Sequence, residues 1–270
     1  MPVTYCGNSF CYGNARSIES ACRDLGLPPN KQVMFHVDGK YCYCLCGVWS
    51  GGQSDTPIAV QGWTQIPLSA VVEGQTKVLA AGRNLVFLEH VVARKSVSTA
   101  QNANNFTYVS YLLNGAQRSL VLPATRMLLL DDHRLVAAGL LKYGDRLTDH
   151  TSASVGITQL NTGSFTGSLT DVATSLTPPD KNLNGHLLLL NGVVAGDQMA
   201  DAAPSSMVDA LDGDDGLDRS TPNRPWIGSE AWYRSNGALH TEMNQPIEVD
   251  GGIFVPAALH AVRPPEWRSD

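Results

Sequence analysis

The sequence predicts a mainly β protein, and three observations carry that prediction. Apolar runs between Thr56 and Leu190 are short and bounded by turn residues: TPIAV, KVLAAG, NLVFLEHVVAR, FTYVSYLL, RSLVLP, MLLL, RLVAA and HLLLL. No apolar pattern with a helical period runs through residues 56–196. The chain also carries 25 glycines and 15 prolines in 270 residues, which suits many reversals. That length accommodates one large β domain with a sizeable core and smaller attached parts.

The first 46 residues form a Cys-rich module by composition alone. Cys6, Cys11, Cys22, Cys42, Cys44 and Cys46 are the only cysteines of the chain. Ala15, Ile18, Ala21, Cys22 and Leu25 recur at helical spacing, with Asn14 to cap the helix and Gly26 before Pro28-Pro29 to stop it. QVMFHVDGKYCYCLC then reads as two strands about the turn Asp38-Gly39. Side chains repeat every two residues along a strand, so Cys42, Cys44 and Cys46 share one face. Three readings are open for them. They are reduced thiols packed in a strand, or zinc ligands shared with Cys6, Cys11 or Cys22. Otherwise they pair as disulfides, or Cys46 is a nucleophile. C-x-C spacing is a weaker zinc signature than C-x2-C, and no other cofactor is suggested.

Residues 47–200 carry the β domain, and an internal repeat divides it. Gly62–Gly82 has a hairpin, a short apolar segment, a Gly-polar turn and a strand; Asp132–His150 repeats that order through Gly144-Asp145. Segments 56–82 and 119–150 are therefore expected as superimposable, pseudo-twofold halves. Residues 201–270 read as an acidic linker followed by an irregular, aromatic extension. Asp209, Asp212, Asp214, Asp215 and Asp218 imitate a calcium loop, but Gly216 replaces an oxygen ligand and the twelfth-position Glu is missing, which leaves a solvated acidic loop. Trp226, Trp232 and Trp267 are expected to pack on the β domain, since each would otherwise expose a large apolar area.

A formal net charge of −6, with no Lys/Arg block, excludes an electrostatic grip on nucleic acid. No apolar run is long enough to span a membrane. The N-terminus lacks a basic stretch followed by an apolar one, which predicts a cytoplasmic protein or one exported without a conventional signal peptide. The seven histidines show no metal-site spacing.

Three segments carry a family resemblance. TPIAVQGWTQIPLSAVVEGQTKVLAAG resembles the first block of the Hint (Hedgehog/intein) domain, SLVLPATRMLLLDDHRLVAAGLLKYGDRL its second, and NGHLLLLNGVVAGD its closing strand. The whole looks like bacterial Hint-containing proteins with a Cys-rich leader. The resemblance implies a pseudo-twofold all-β fold and a self-cleaving activity. In the family, a Cys or Ser attacks the preceding peptide carbonyl, a Thr-x-x-His motif polarises that peptide, and a final Asn can cyclise.

This chain departs from that pattern at each position. Thr-x-x-His falls on Pro123-Ala124-Thr125-Arg126, so the histidine has become Arg126. Arginine stays protonated and cannot shuttle a proton, although it can stabilise an oxyanion. The nucleophile position is Gly51, beside Ser50, and the closing His-Asn is Gly196-Asp197. The expected function is a degenerate, non-catalytic Hint module with a protein partner, an accessory of bacterial secretion or of an effector. The alternative is a working autoprocessor in which Cys46 or Ser50 attacks and Thr125 and Arg126 hold the carbonyl.

Overall fold

The structure, a computed structural model, describes residues 4–5, 32–37, 40–45, 52–179, 182–201, 224–225, 227, 232, 245–249 and 251–257. It is mainly β, as predicted. Near the N-terminus, β1 (Thr4–Tyr5), β2 (Gln32–Val37) and β3 (Lys40–Leu45) form one sheet with β3 in the middle. Strands β2 and β3 run antiparallel and Val37 pairs with Lys40, so the hairpin reverses at the predicted place. The helix expected over residues 15–25 lies outside the described residues.

The β domain begins with β4 (Gly52–Gln53), β5 (Pro57–Val60), β6 (Thr64–Pro67), β7 (Lys77–Ala81) and β8 (Leu88–Val91). The long strand β9 (Arg94–Leu113) follows, then β10 (Ala116–Pro123), β11 (Met127–Leu129), β12 (Leu135–Ala137) and β13 (Arg146–Thr148). A second long strand, β14 (Ser154–Ala173), precedes β15 (Leu187–Leu190), β16 (Val193–Gly196) and the single helical turn α1 (Gln198–Asp201). Strands β17 (Ile247–Val249) and β18 (Gly252–Pro256) close the series. One sheet runs β10-β9-β14-β18-β17, with β4 and β13 also on β14. The other runs β12-β11-β16-β15-β5-β7-β8, with β6 on β5.

The largest apolar cluster draws on both sheets, with Val109, Tyr111, Leu122 and Leu160 from one and Ile58, Val78, Leu188 and Val193 from the other. The run Leu187–Leu190 is buried throughout because its strand is covered on both faces. Leu188 and Leu190 join that cluster, while Leu187 and Leu189 join a second one with Leu79, Leu129 and Val194. Two Asn-Gly turns make the tight hairpins. Asn114-Gly115 joins β9 to β10 and Asn191-Gly192 joins β15 to β16, all four residues at positive φ as a type I′ turn requires.

The internal repeat is written in the backbone hydrogen bonds. Leu68 N–H donates to Thr56 O and Ser69 N–H to Ser54 O; Ala138 N–H donates to Arg126 O and Gly139 N–H to Ala124 O. Val71 N–H bonds Leu68 O as Leu141 N–H bonds Ala138 O. Every matched pair is offset by 70 positions, as 126 is from 56, and Gly74 and Gly144 both take positive φ at the matching turn.

Two features differ from the expectation of short strands and an irregular extension. Strands β9 and β14 run 20 residues each and pair along nearly their whole length. Register shifts between Ile157 and Gln159 and on both sides of Phe165 interrupt the ladder without ending it. The extension contributes an ordered hairpin, β17–β18, which pairs with β14 from Gly163 to Gly167. Trp232 is fully buried in the main core and donates its indole N–H to Leu141 O at 2.8 Å. Trp226 and Trp267 lie outside the described residues.

Candidate functional site

Three segments distant in sequence converge on β14. Gly52 of β4 pairs with Thr170, and the Ser54 and Thr170 hydroxyls meet at 2.8 Å. The turn after β10 delivers Arg126 to Asp171, the next residue of β14. The end of β16 brings Gly196 and Asp197 to the same place.

Arg126 is the centre of this junction and is only 1 % exposed. Its Nη1 donates to Gly196 O at 2.7 Å. Nη2 lies 2.8 Å from Asp171 Oδ2 and Nε lies 3.0 Å from Asp201 Oδ2. The carboxylates are fixed in turn: Asp171 Oδ1 accepts Val172 N–H and Asp201 Oδ1 accepts Met127 N–H. Burial pushes the Asp201 carboxyl well above its usual range, Arg126 opposes that rise, and the Asp171 charge adds to it. Burial also raises Asp171, against the pull of Arg126. Burial by itself would lower the Arg126 guanidinium, but Asp171 and Asp201 together keep it protonated. One buried cation thus serves one fully buried and one largely buried carboxylate, so neither carboxylate is fully compensated.

Asp197 is wholly buried and caps α1, with Oδ1 accepting Met199 and Ala200 N–H. Its Oδ2 accepts Thr174 N–H and the Thr174 hydroxyl, and both oxygens lie 3.1 Å from His186 Nδ1. Its backbone is also engaged, since its N–H donates to His186 O and its carbonyl accepts Asp201 N–H. Every polar group of Asp197 therefore has a structural partner.

Of the candidate site residues, Thr125 and Arg126 are described. Thr125 is half-buried in the turn beside Arg126, while Arg126 itself is sealed from solvent. Cys46, Ser50 and Gly51 lie outside the described residues, as do Cys6, Cys11 and Cys22. Cys44 is placed in β3 by its backbone. Cys42 is buried and disulfide-bonded, which corrects the reduced-thiol reading there. A sulfur held in an S–S bond carries no thiolate charge, so it is not a zinc ligand either. Among the described residues, no group of three or more His, Cys, Asp or Glu side chains could hold a metal ion. No helix among them is long and apolar enough to cross a membrane.

Sequence reasoning found Arg126 and Gly196-Asp197 but missed Asp171, His186 and Asp201. Asp197 enters that reasoning only as the replacement of the closing Asn; its role as the cap of α1 had a local signal, an Asp just ahead of Gln-Met-Ala. The ion pairs had none, since their partners are joined only by the fold.

No family model and no curated protein matches the chain. Among solved structures, it is similar to a bacterial intein-like domain from Clostridium thermocellum at 15% identity and a TM-score of 0.42, covering 55% of this chain and 99% of that one. It is similar to a DnaB intein from Synechocystis at 13% identity and a TM-score of 0.42, covering 55% and 99%. For the gp41-1 intein the values are 13% and 0.39, covering 54% and 98%.

Proposed function

We propose that this protein is a degenerate Hint module that no longer cleaves itself and acts by binding a protein partner. The observation that carries the reading is Arg126. It stands where the family's proton-handling histidine belongs, and its guanidinium is spent on Gly196 O, Asp171 and Asp201. A sealed, permanently charged group does not accept a proton, and this one is already engaged with structural partners. Asp197, in the place of the cyclising Asn, is likewise consumed as a helix cap. The 70-residue repeat supports the Hint assignment independently of these residues.

General acid–base assistance contributes about 10²–10⁴-fold, so a chain without it reacts slowly if at all. Purified protein is expected to remain one full-length chain for days by intact mass, with or without hydroxylamine or dithiothreitol. Release of a fragment of about 45 residues, abolished by Cys46→Ala or Ser50→Ala, would restore the autoprocessor. The disulfide at Cys42 favours the exported over the cytoplasmic setting, because disulfides persist in oxidising compartments. An accessory role in bacterial secretion fits that setting. Zinc at the remaining cysteines is tested by metal analysis of the purified chain before and after reduction.

A further inference from the structure

A cleft of about 360 Å³ opens at the Asn191-Gly192 end of the β15–β16 hairpin, away from Gly196 and the Arg126 junction. Its floor is apolar, from Ala59, Leu113 and Leu189, and Trp63, Arg118 and Asp149 line its sides. Trp63 is 54% exposed and sits at φ 62 after Gly62 at φ 74, a left-handed conformation that a bulky side chain adopts only against strain. Its ring reaches the His150 ring, centroids 5.2 Å apart, over the cleft rather than entering the core.

The charges of the cleft are the telling feature. Asp149 is only 6% exposed. Its Oδ1 accepts Thr151 N–H, the Thr151 hydroxyl and Ala153 N–H, whereas its Oδ2 takes no hydrogen bond among the described residues. Arg118 donates from Nη1 to Asn191 Oδ1 at 3.2 Å and reaches Asn191 O at 3.5 Å, which leaves Nε and Nη2 unengaged among the described residues. Arg118 and Asp149 line the same cleft but form no ion pair with each other. Asp149 Oδ2 has no donor among the described residues although the residue is only 6% exposed, and one edge of the half-buried Arg118 guanidinium has no acceptor among them, so both are open to a ligand in the cleft. A single ligand carrying both charges completes them together.

We propose that this cleft binds a small zwitterion with an apolar side group, of the α-amino-acid class. The ammonium bonds Asp149, the carboxylate bonds Arg118, and the side group lies between Trp63 and the apolar floor. The volume is at the small end of ligand sites and suits one amino acid rather than an oligosaccharide. This site is separate from the Arg126 junction and does not depend on whether the chain cleaves itself.

Calorimetric titration of the full-length protein with L-phenylalanine tests it, beside phenethylamine, 3-phenylpropionate and methyl β-D-glucoside. Phenylalanine is expected to bind saturably, one per chain, with the amine and the acid each about tenfold or more weaker. Asp149→Asn keeps the Oδ1 acceptor of the turn, so its thermal midpoint should hold while phenylalanine affinity falls about tenfold or more. Trp63→Ala, at an exposed ring, should lose affinity in the same way and serves if Asp149→Asn fails to fold. Three results would overturn the proposal: no phenylalanine binding at its solubility limit, phenylpropionate binding as tightly as phenylalanine, or preferential binding of the glucoside.

Discussion

At the scale of single residues, Arg126 holds the junction together, and its removal should be severe. Arg126→Met leaves Asp171 and Asp201 buried beside each other without a cation, and breaking a buried ion pair on one side costs about 3–5 kcal/mol. Urea unfolding should show that loss as a lowered midpoint. Asp201 makes an opposite, pH-dependent contribution. Its carboxyl is raised in the folded state above the ordinary 3.8, so the folded chain binds more protons than the unfolded one above that pH. Stability contributed by this group therefore falls as pH climbs from 3.8 through the raised value, and returns on acidification. Asp201→Asn keeps the acceptor for Met127 N–H and should remove that slope, measured as thermal midpoint against pH. Arg126 itself was legible as a departure from Thr-x-x-His. Asp171 and Asp201, 45 and 75 positions further along, had no local signal, because ion pairs form through space.

At the scale of elements, the Asn-Gly hairpins and the apolar strands were readable because their chemistry is local. Strand β14 was not. SVGITQLNTGSFTGSLTDVA is rich in Gly, Ser, Thr and Asn and looks like loop, yet it pairs with β9 on one edge and with β18 on the other. Its glycines are there for close approach. A Cβ at Gly163 would stand 2.2 Å from Val255 O and 2.8 Å from the Phe254 ring. Gly163→Ala should therefore detach β18, seen as faster amide exchange across residues 252–255. Gly156→Ala, whose Cβ would meet only Arg146 Nη1 at 3.7 Å, is the tolerated control.

At the scale of the whole molecule, Ile227 and Trp232 of the tail are part of the main core. Arg224 donates to Asp145 Oδ2 at 2.6 Å, Ile227 N–H donates to Gly139 O, and Trp232 fills the space beside Leu141 and Tyr143. All three partners lie in the second copy of the internal repeat. Trp232→Ala should cost about 3–5 kcal/mol, the range for emptying a buried aromatic site, and should hasten proteolysis of the β domain. Packing of the tail could be argued from its tryptophans, since water is a poor place for indole. The place where Trp232 docks could not, because nothing in its neighbouring sequence encodes which turn of the repeat it will meet.

Strand β14 also sets when the molecule can finish folding. It pairs Thr170 with Gly52, 118 positions earlier, and Gly163 with Pro256, 93 positions later. A chain leaving the ribosome can join β9 and β4 to β14 as soon as Ala173 has emerged, but the stretch Gly163–Gly167 of the edge that β4 shares then waits open for the next 83 residues. At about 5–20 residues per second, that is a matter of several seconds. During this interval the nascent protein presents a half-finished sheet to chaperones and to its neighbours on the same message, and only the arrival of β18 closes it.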